Sequence, residues 1–393
     1  MRRLRTNPYD VQLPVVALLL VLAVTAEASA QWRVTQLTDN DHYDWTGQSS
    51  VHGPALVWIG KPDNADNEIF LYDGHTVTQL TDNTFPDAAP STDGASVAWT
   101  AEPSDGTDRE IYFWNGNTTT RLTDNADDRN DLWPTVDDST VVWHGGTAVP
   151  GATDWEIFLY EDGSVTQLTA NDYNDYYPFV VGENIVWRGQ EGGTDYEIFF
   201  HDGDSTVQLT DNSYDDKNPE VDRLGNVLWE GEVGDGDKEI FFCDGDLVTQ
   251  LTDNAQDDGW SNLDGGEAVW ERQEGGDDYE IFYFDGSDTT MLTDDLLDDR
   301  HPRIVGSLIA WEGDDGNDTE IFVYEIGKGI THLTNNDFDD EYPRIAGNMI
   351  GWTGYVDGED GEIFVATPVP EPSAMILLTI GLVTLLGWRR CRR

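Results

Sequence analysis

Short apolar runs alternate with acidic, glycine-bearing stretches along most of the chain, and the alternation repeats. A run ends in tryptophan at Trp58, Trp99, Trp143, Trp187, Trp229, Trp270, Trp311 and Trp352, 41 to 44 residues apart. Glu-Ile-(Phe/Tyr) recurs at Glu68, Glu110, Glu156, Glu197, Glu239, Glu280, Glu320 and Glu362, and Leu-Thr at Leu37, Leu80, Leu122, Leu168, Leu209, Leu251, Leu292 and Leu333. Three markers in eight copies define a repeat, and a fixed period of this length belongs to arrays of one supersecondary unit.

Each unit predicts four short strands. In one copy these are residues 178–181, 185–188, 197–201 and 206–210, with a Gly182-Glu183-Asn184 turn after the first. Asp-Gly pairs (Asp73-Gly74, Asp202-Gly203, Asp244-Gly245, Asp285-Gly286) join the third and fourth strands as hairpins. The third strand, as in Ile69-Phe70-Leu71-Tyr72, is apolar on both faces, which suits a strand covered on both sides. Four-stranded units that need neighbours to bury both faces make an all-β fold, the eight-bladed β-propeller.

The order of markers predicts how the propeller closes. The first Leu-Thr strand, Val34-Thr35-Gln36-Leu37-Thr38, precedes any complete unit, and the last unit ends at Glu362-Ile363-Phe364-Val365 without one. The N-terminal strand therefore supplies the outer strand of the last blade. An open arc would leave both pieces as unpaired edges.

The repeat, Asp-x-x-Pro, a turn, an apolar strand, Glu-Ile-Phe-x-Tyr-Asp-Gly and then Gln-Leu-Thr-Asp-Asn, resembles the TolB-type propeller repeat over residues 33–365. Tryptophan stands where that family usually closes the second strand with phenylalanine. The repeats begin three residues after the cleavage site expected below, with no preceding α/β domain of the TolB kind. A TolB role in envelope maintenance is therefore not implied.

The two ends read as addresses. Arg2, Arg3 and Arg5 precede an apolar run over residues 13–24 and then Ala28-Ser29-Ala30, the order of a secretory signal cleaved after Ala30, with Ala28 and Ala30 as the small residues of the site. At the other end, Pro370-Glu371-Pro372 is followed by an apolar stretch, residues 373–388, and by Arg389-Arg390-Cys391-Arg392-Arg393. The arginines would stay cytoplasmic and leave everything upstream outside. This arrangement resembles the PEP-CTERM sorting signal. The resemblance implies handling by a membrane exosortase-type processing enzyme in a Gram-negative bacterium that makes exopolysaccharide, and a final place at the cell surface or in the extracellular matrix. The expected organisation is a signal peptide over 1–30, the propeller over 31–366 and the sorting tail over 367–393, with the tail the one membrane-contacting part.

Charge narrows the function. With 77 Asp+Glu against 21 Lys+Arg the formal net charge is −56, which repels phosphate backbones and excludes a nucleic-acid binder. Such a surface attracts cations, basic proteins or salt. Two cysteines, Cys243 and Cys391, make no disulfide framework. Strand direction places the interblade loops and the loops between second and third strands on one face, and both are acidic. An Asp recurs at Asp44, Asp87, Asp131, Asp175, Asp216, Asp258, Asp299 and Asp340, and Asp-x-Glu occurs in every blade.

Two readings of these acids stay open. One is structural, with the carboxylates bonding turn N–H groups. The other is calcium, for which Asp215, Asp216, Asp339 and Asp340 offer the densest oxygens, although no loop follows the EF-hand order. Beside the interblade Asp stand Trp45, Trp133, Tyr176, Tyr177, Trp260 and Tyr342, which either pack between blades or stack on sugars. No compact histidine metal pattern, Gly-x-Ser-x-Gly elbow or phosphate loop is present, so no catalytic residue is assigned. The expectation is a binding or scaffold module working through an acidic face. The alternatives are a polysaccharide-acting enzyme, which a unique blade with His or Arg converging on the channel mouth would favour, and a salt-adapted structural protein.

Overall fold

Each repeat folds as one twisted antiparallel sheet, and eight such sheets succeed one another around a central channel. The computed structural model describes residues 31–369 apart from 48, 63–65, 104–107, 125–128, 147–153, 194, 235, 277, 357 and 359. Ala28, Ala30, Pro370, Glu371 and Pro372 lie outside the described residues. The fourth blade is representative, with strands Asp175–Val181, Asn184–Gly189, Glu197–His201 and Thr206–Gln208. Its innermost strand begins three residues before the proline that the sequence suggests as its start.

Closure is by the N-terminal strand. Gln31–Gln36 pairs antiparallel with Gly361–Val369, from Gln31 opposite Val369 to Gln36 opposite Phe364. The last strand thus runs three residues beyond the boundary expected at 366.

The eight repeat tryptophans are the centre of each blade, all within 1% of complete burial. Each stacks on the aromatic residue paired with it on the third strand, from Trp58 on Phe70 to Trp352 on Phe364, with ring centroids 5.7–6.0 Å apart. The residue flanking it on the third strand (Ile69, Ile111, Ile157, Ile198, Ile240, Ile281, Ile321, Ile363) is also fully buried and packs toward a neighbouring blade. This two-sided burial explains why the third strand carries no polar alternation.

The first blade breaks the pattern. Its innermost strand is only Asp44–Trp45, after which the chain leaves the blade. Ser50–Val51 then pairs in parallel with Ser91 and Thr92, making a fifth strand on the second blade. Residues 46–47 and 49–53 lie across the channel: Arg344 of the eighth blade donates to the carbonyls of Gly47 (2.8 Å) and Ser49 (2.9 Å), and the His52 ring reaches Phe179 of the fourth blade, centroids 4.8 Å apart. Gly53 makes the crossing feasible, because a Cβ there would sit 1.8 Å from the Asp93 carbonyl oxygen.

Candidate functional site at the channel mouth

The recurring acids form a repeated staple between blades. At the junction of the fourth and fifth blades, Asp216 Oδ1 accepts from Trp229 Nε1 (3.0 Å) and Oδ2 from Asn212 Nδ2 (2.6 Å). The Asn212 backbone N–H donates to Glu197 Oε1 of the preceding blade (3.0 Å). The Trp–Asp bond is present in all eight blades at 2.6–3.1 Å. Asp340 is held likewise by Trp352 (2.7 Å) and Asn336 (2.6 Å).

Of the four residues singled out for calcium, Asp216 and Asp340 are therefore buried with both oxygens engaged. Asp215 meets Lys217 Nζ at 2.7 Å and accepts the Tyr196 N–H, and Asp339 accepts the Thr319 N–H at 3.0 Å. The two pairs stand in the fifth and eighth blades and are not brought together.

Burial pushes the carboxyls of Asp87, Asp216, Asp299 and Asp340 up to about 7, against the pull of their hydrogen-bond donors, and that of Asp175 to about 6. Glu156 and Glu341 are also raised to about 7 by burial, with nearby carboxylates adding to the shift. A folded pKa above the unfolded value of roughly 4 means that the native state binds protons more tightly, so this contribution is lost as pH rises from about 4 through 7. Buried His52 and His144, lowered to about 4 and about 3 by desolvation, act oppositely below about 6.5, but they are two against seven. The melting temperature is expected to rise by several degrees from pH 8 to pH 5 in scanning calorimetry at constant ionic strength. A melting temperature that climbs steadily with pH would show that these carboxyls are not proton-hungry in the fold.

The site itself comes from a second repeated feature that the sequence does not announce. In seven blades the innermost strand carries a bulge two residues after the repeat Asp. The bulged residue, Ala89, Trp133, Tyr177, Asn218, Trp260, His301 or Tyr342, has φ between +48° and +56°. Large side chains rarely adopt this left-handed conformation, and bulges of this kind re-aim a side chain. At three of the bulges the N–H lost to the ladder is taken by a side chain of the preceding blade: His301 N–H donates to Glu271 (2.8 Å), Tyr342 N–H to Glu312 (2.7 Å) and Tyr177 N–H to His144 Nδ1 (3.3 Å). Six of the seven are followed by proline, which has no N–H to lose.

The result is an aromatic rim at one mouth of the channel. Trp133, Tyr177 and Trp260 are 39%, 43% and 54% exposed, so each presents part of its ring to solvent while also touching a ring of a neighbouring blade. Trp45, Tyr176 and Tyr342 are half-buried. On one side Trp133 and Tyr177 lie 6.1 Å apart, and the Arg188 guanidinium backs Tyr177 at 4.6 Å. Across the mouth, Trp260 meets His301 at 4.4 Å, His301 meets Tyr342 at 5.7 Å and Tyr342 meets Trp45 at 5.8 Å. Beneath the Trp133–Tyr177 side is a cavity of about 340 Å³ whose walls include Pro90, Phe179, Asn218 and Glu220 and whose floor is Gly47, Ser49 and Ser50.

Below the rim the propeller is lopsided. The residue one step past the repeat proline position is Ser91, Thr135 and Phe179 on one side but Glu220, Asn262, Arg303 and Arg344 on the other. Arg303 and Arg344 line a second cavity, of about 300 Å³, and neither has a carboxylate within 4 Å among the described residues. Burial and the neighbouring Arg303 charge bring Arg344 down to about 9. At the rim, His301 Nδ1 is hydrogen-bonded to Glu312 Oε1 at 2.6 Å. Sequence inspection could have found Arg303 and Arg344 by aligning the residues after each repeat proline. The His301–Glu312 contact, between two blade strands, has no such signal.

Fold and rim define the chain as an eight-bladed β-propeller with an aromatic-rimmed channel. Residues 368–393 match the PEP-CTERM protein-sorting motif, so the protein carries a signal for export and membrane-anchored sorting that exosortase-type processing enzymes recognise. No protein of curated function matches the chain by sequence. Among solved structures it is similar to the β-propeller domain of the trilobed protease from Pyrococcus furiosus, at 13% identity and a TM-score of 0.53, covering 76% of this chain and 98% of that one. That domain is described as having an open velcro topology, whereas here the N-terminal strand closes the last blade. A puromycin-hydrolysing peptidase from Mycobacterium tuberculosis is similar at 12% identity and a TM-score of 0.53, over 82% of this chain and 58% of its own length. An oligogalacturonate lyase in complex with manganese is similar at 14% identity and a TM-score of 0.51, over 88% and 95%. Likeness at these identities is a likeness of fold.

Proposed function

We propose that the protein is an exported glycan-binding module, displayed at the cell surface or in the extracellular matrix, that takes a saccharide at the aromatic rim of its acidic face. The observation that carries this reading is the set of exposed rings at Trp133, Tyr177 and Trp260, each held in a left-handed conformation at a bulge. Strained positions that persist in a fold point to function, and rigid aromatic faces stack on the apolar faces of sugars at little entropic cost. Asn218, Glu220 and the hydroxyls of Ser49 and Ser50 supply hydrogen-bond partners for sugar hydroxyls beneath them.

The test is calorimetric titration of neutral and acidic oligosaccharides, including those of exopolysaccharides, into the wild-type protein and the Trp133→Ala/Tyr177→Ala variant. Binding is expected to weaken tenfold or more, about 1.4 kcal/mol, with the melting temperature nearly unchanged because the rings are exposed. Binding that is absent, or indifferent to these substitutions, removes the reading. A second reading, an enzyme acting on polysaccharide, is favoured by Arg303 and Arg344 converging on the channel from adjoining blades and by the His301–Glu312 contact at the rim. New reducing ends appearing in the same titration mixtures, and absent with His301→Ala, would move the conclusion to it.

A further inference from the structure

In the Asp-x-Glu motif of every blade the Glu is buried against the interblade Asp, and the blades meet the cost differently. Thr169 Oγ1 donates to Glu156 Oε2 (2.7 Å), and Arg121 Nη2 pairs with Glu110 at 2.8 Å. In the seventh blade Glu320 is completely buried; its Oε1 accepts the Asn336 N–H, but Oε2 has no partner. The position of Arg121 is held there by His332, whose ring packs edge-on against Phe322, 4.0 Å between centroids. Two residues before Glu320, Asp318 Oδ1 is likewise buried and without a partner.

The loop that carries them is short. The strands Leu308–Asp314 and Thr319–Glu325 leave only residues 315–318 between them, and the Asp315 N–H donates to the Asp318 carbonyl (3.1 Å). The turn folds Asp315 back over Asp318, so that oxygens of Asp315, Asp318 and Glu320 all lie within 4.8 Å of one another. Unpartnered Glu oxygens recur at Glu197, Glu280 and Glu362, yet among the described residues no other blade brings three acidic oxygens this close. Among the described residues no Lys or Arg forms an ion pair with any of the three.

We infer that Asp315, Asp318 and Glu320 form a calcium site in the seventh blade. Calcium–oxygen bonds of roughly 2.4 Å let one ion touch oxygens up to about 4.8 Å apart, and an ion with six to eight ligands would complete its shell with water on the half-exposed Asp315 and Asp318 side. Magnesium, with shorter bonds and a stricter octahedron, fits this open trio less well. The site shares no residue with the aromatic rim and does not rest on the glycan reading.

The test is titration of calcium chloride into the full chain after metal stripping, at constant ionic strength, beside Asp315→Asn, Asp318→Asn and Asp215→Asn. A saturable calcium event is expected that magnesium does not match. Asp315→Asn and Asp318→Asn should each weaken it at least tenfold, while Asp215→Asn, which removes a partner of Lys217, leaves it intact. Both blade-seven substitutions are at half-exposed positions, and unchanged melting temperatures in the absence of calcium would show that the variants fold. No saturable binding, or binding undiminished by Asp315→Asn and Asp318→Asn, overturns the inference, and loss of binding in Asp215→Asn alone would place the ion in the fifth blade.

Discussion

Deletion of residues 31–40 is expected to destabilise the whole propeller rather than one edge of it. The deletion removes the ladder from Gln31–Gln36 to the last strand, the Leu37 N–H bond to the Ile363 carbonyl, the Ile363 N–H bond to Thr38 Oγ1 (2.8 Å) and the Asn40 N–H bond to Glu362 Oε1 (2.8 Å). It also uncovers the apolar surface that Trp32 and Leu37 pack against. At about 1 kcal/mol for each backbone bond lost, the sum is several kcal/mol, enough to lower the melting temperature on the order of 10 °C. The strand Gly361–Val369 would be left with a free edge, and free edges pair with other chains. Light scattering coupled to size exclusion should therefore find association as well as a lowered melting transition. A monomeric product that melts like the wild type would mean that the first strand is an accessory and that seven complete blades and an open one are self-sufficient.

Replacing Asp216 by Ala is expected to cost about 2–4 kcal/mol, whereas Asp215→Ala, one residue away, should cost less than about 1 kcal/mol. Asp216 is fully buried, and its loss orphans two donors, Trp229 Nε1 and Asn212 Nδ2, in a dry interblade seam. Each orphaned donor costs its own desolvation. Asp215 is part-exposed and holds Lys217, which keeps Glu232 as a second partner at 2.9 Å. Denaturant melts of the two single variants measure the difference. A double-mutant cycle with Trp229→Phe isolates the Trp–Asp bond, whose coupling should be about 1 kcal/mol or more. Equal losses at the two positions would mean that the recurring Asp owes its role to surface charge and not to the seam. The same contrast bears on calcium, because a buried carboxylate whose two oxygens already accept from Trp and Asn donors has fewer lone pairs open to an ion.

The sequence, taken alone, determined what one repeat can express. The number of blades, their four strands, the tryptophan at the centre of each and the closure by residues 31–36 are all periodic or follow from where the period starts and stops, because each blade buries its faces only against its neighbours. The recurring Asp was legible as a repeated feature, but the turn N–H groups expected as its donors are not the ones that hold it: the side chains of the blade's Trp and of an Asn four residues earlier do. Tertiary structure decided three other things. A residue before proline ordinarily prefers an extended backbone. Trp133, Tyr177 and His301 are left-handed instead, because the bulge aims them at the channel, and for Tyr177 and His301 a side chain of the preceding blade also takes the freed N–H. Residues 46–47 and 49–53 keep the chain's period yet leave their blade, since Arg344, almost three hundred positions away, binds the carbonyls of Gly47 and Ser49. The acids that converge are Asp315, Asp318 and Glu320, not the denser run at Asp339 and Asp340, because proximity in an acidic loop depends on how tightly the chain turns and which oxygens the seam has already engaged. Local repetition fixes the scaffold; contacts between blades, which no period along the chain encodes, fix where the scaffold departs from symmetry and so where it can bind.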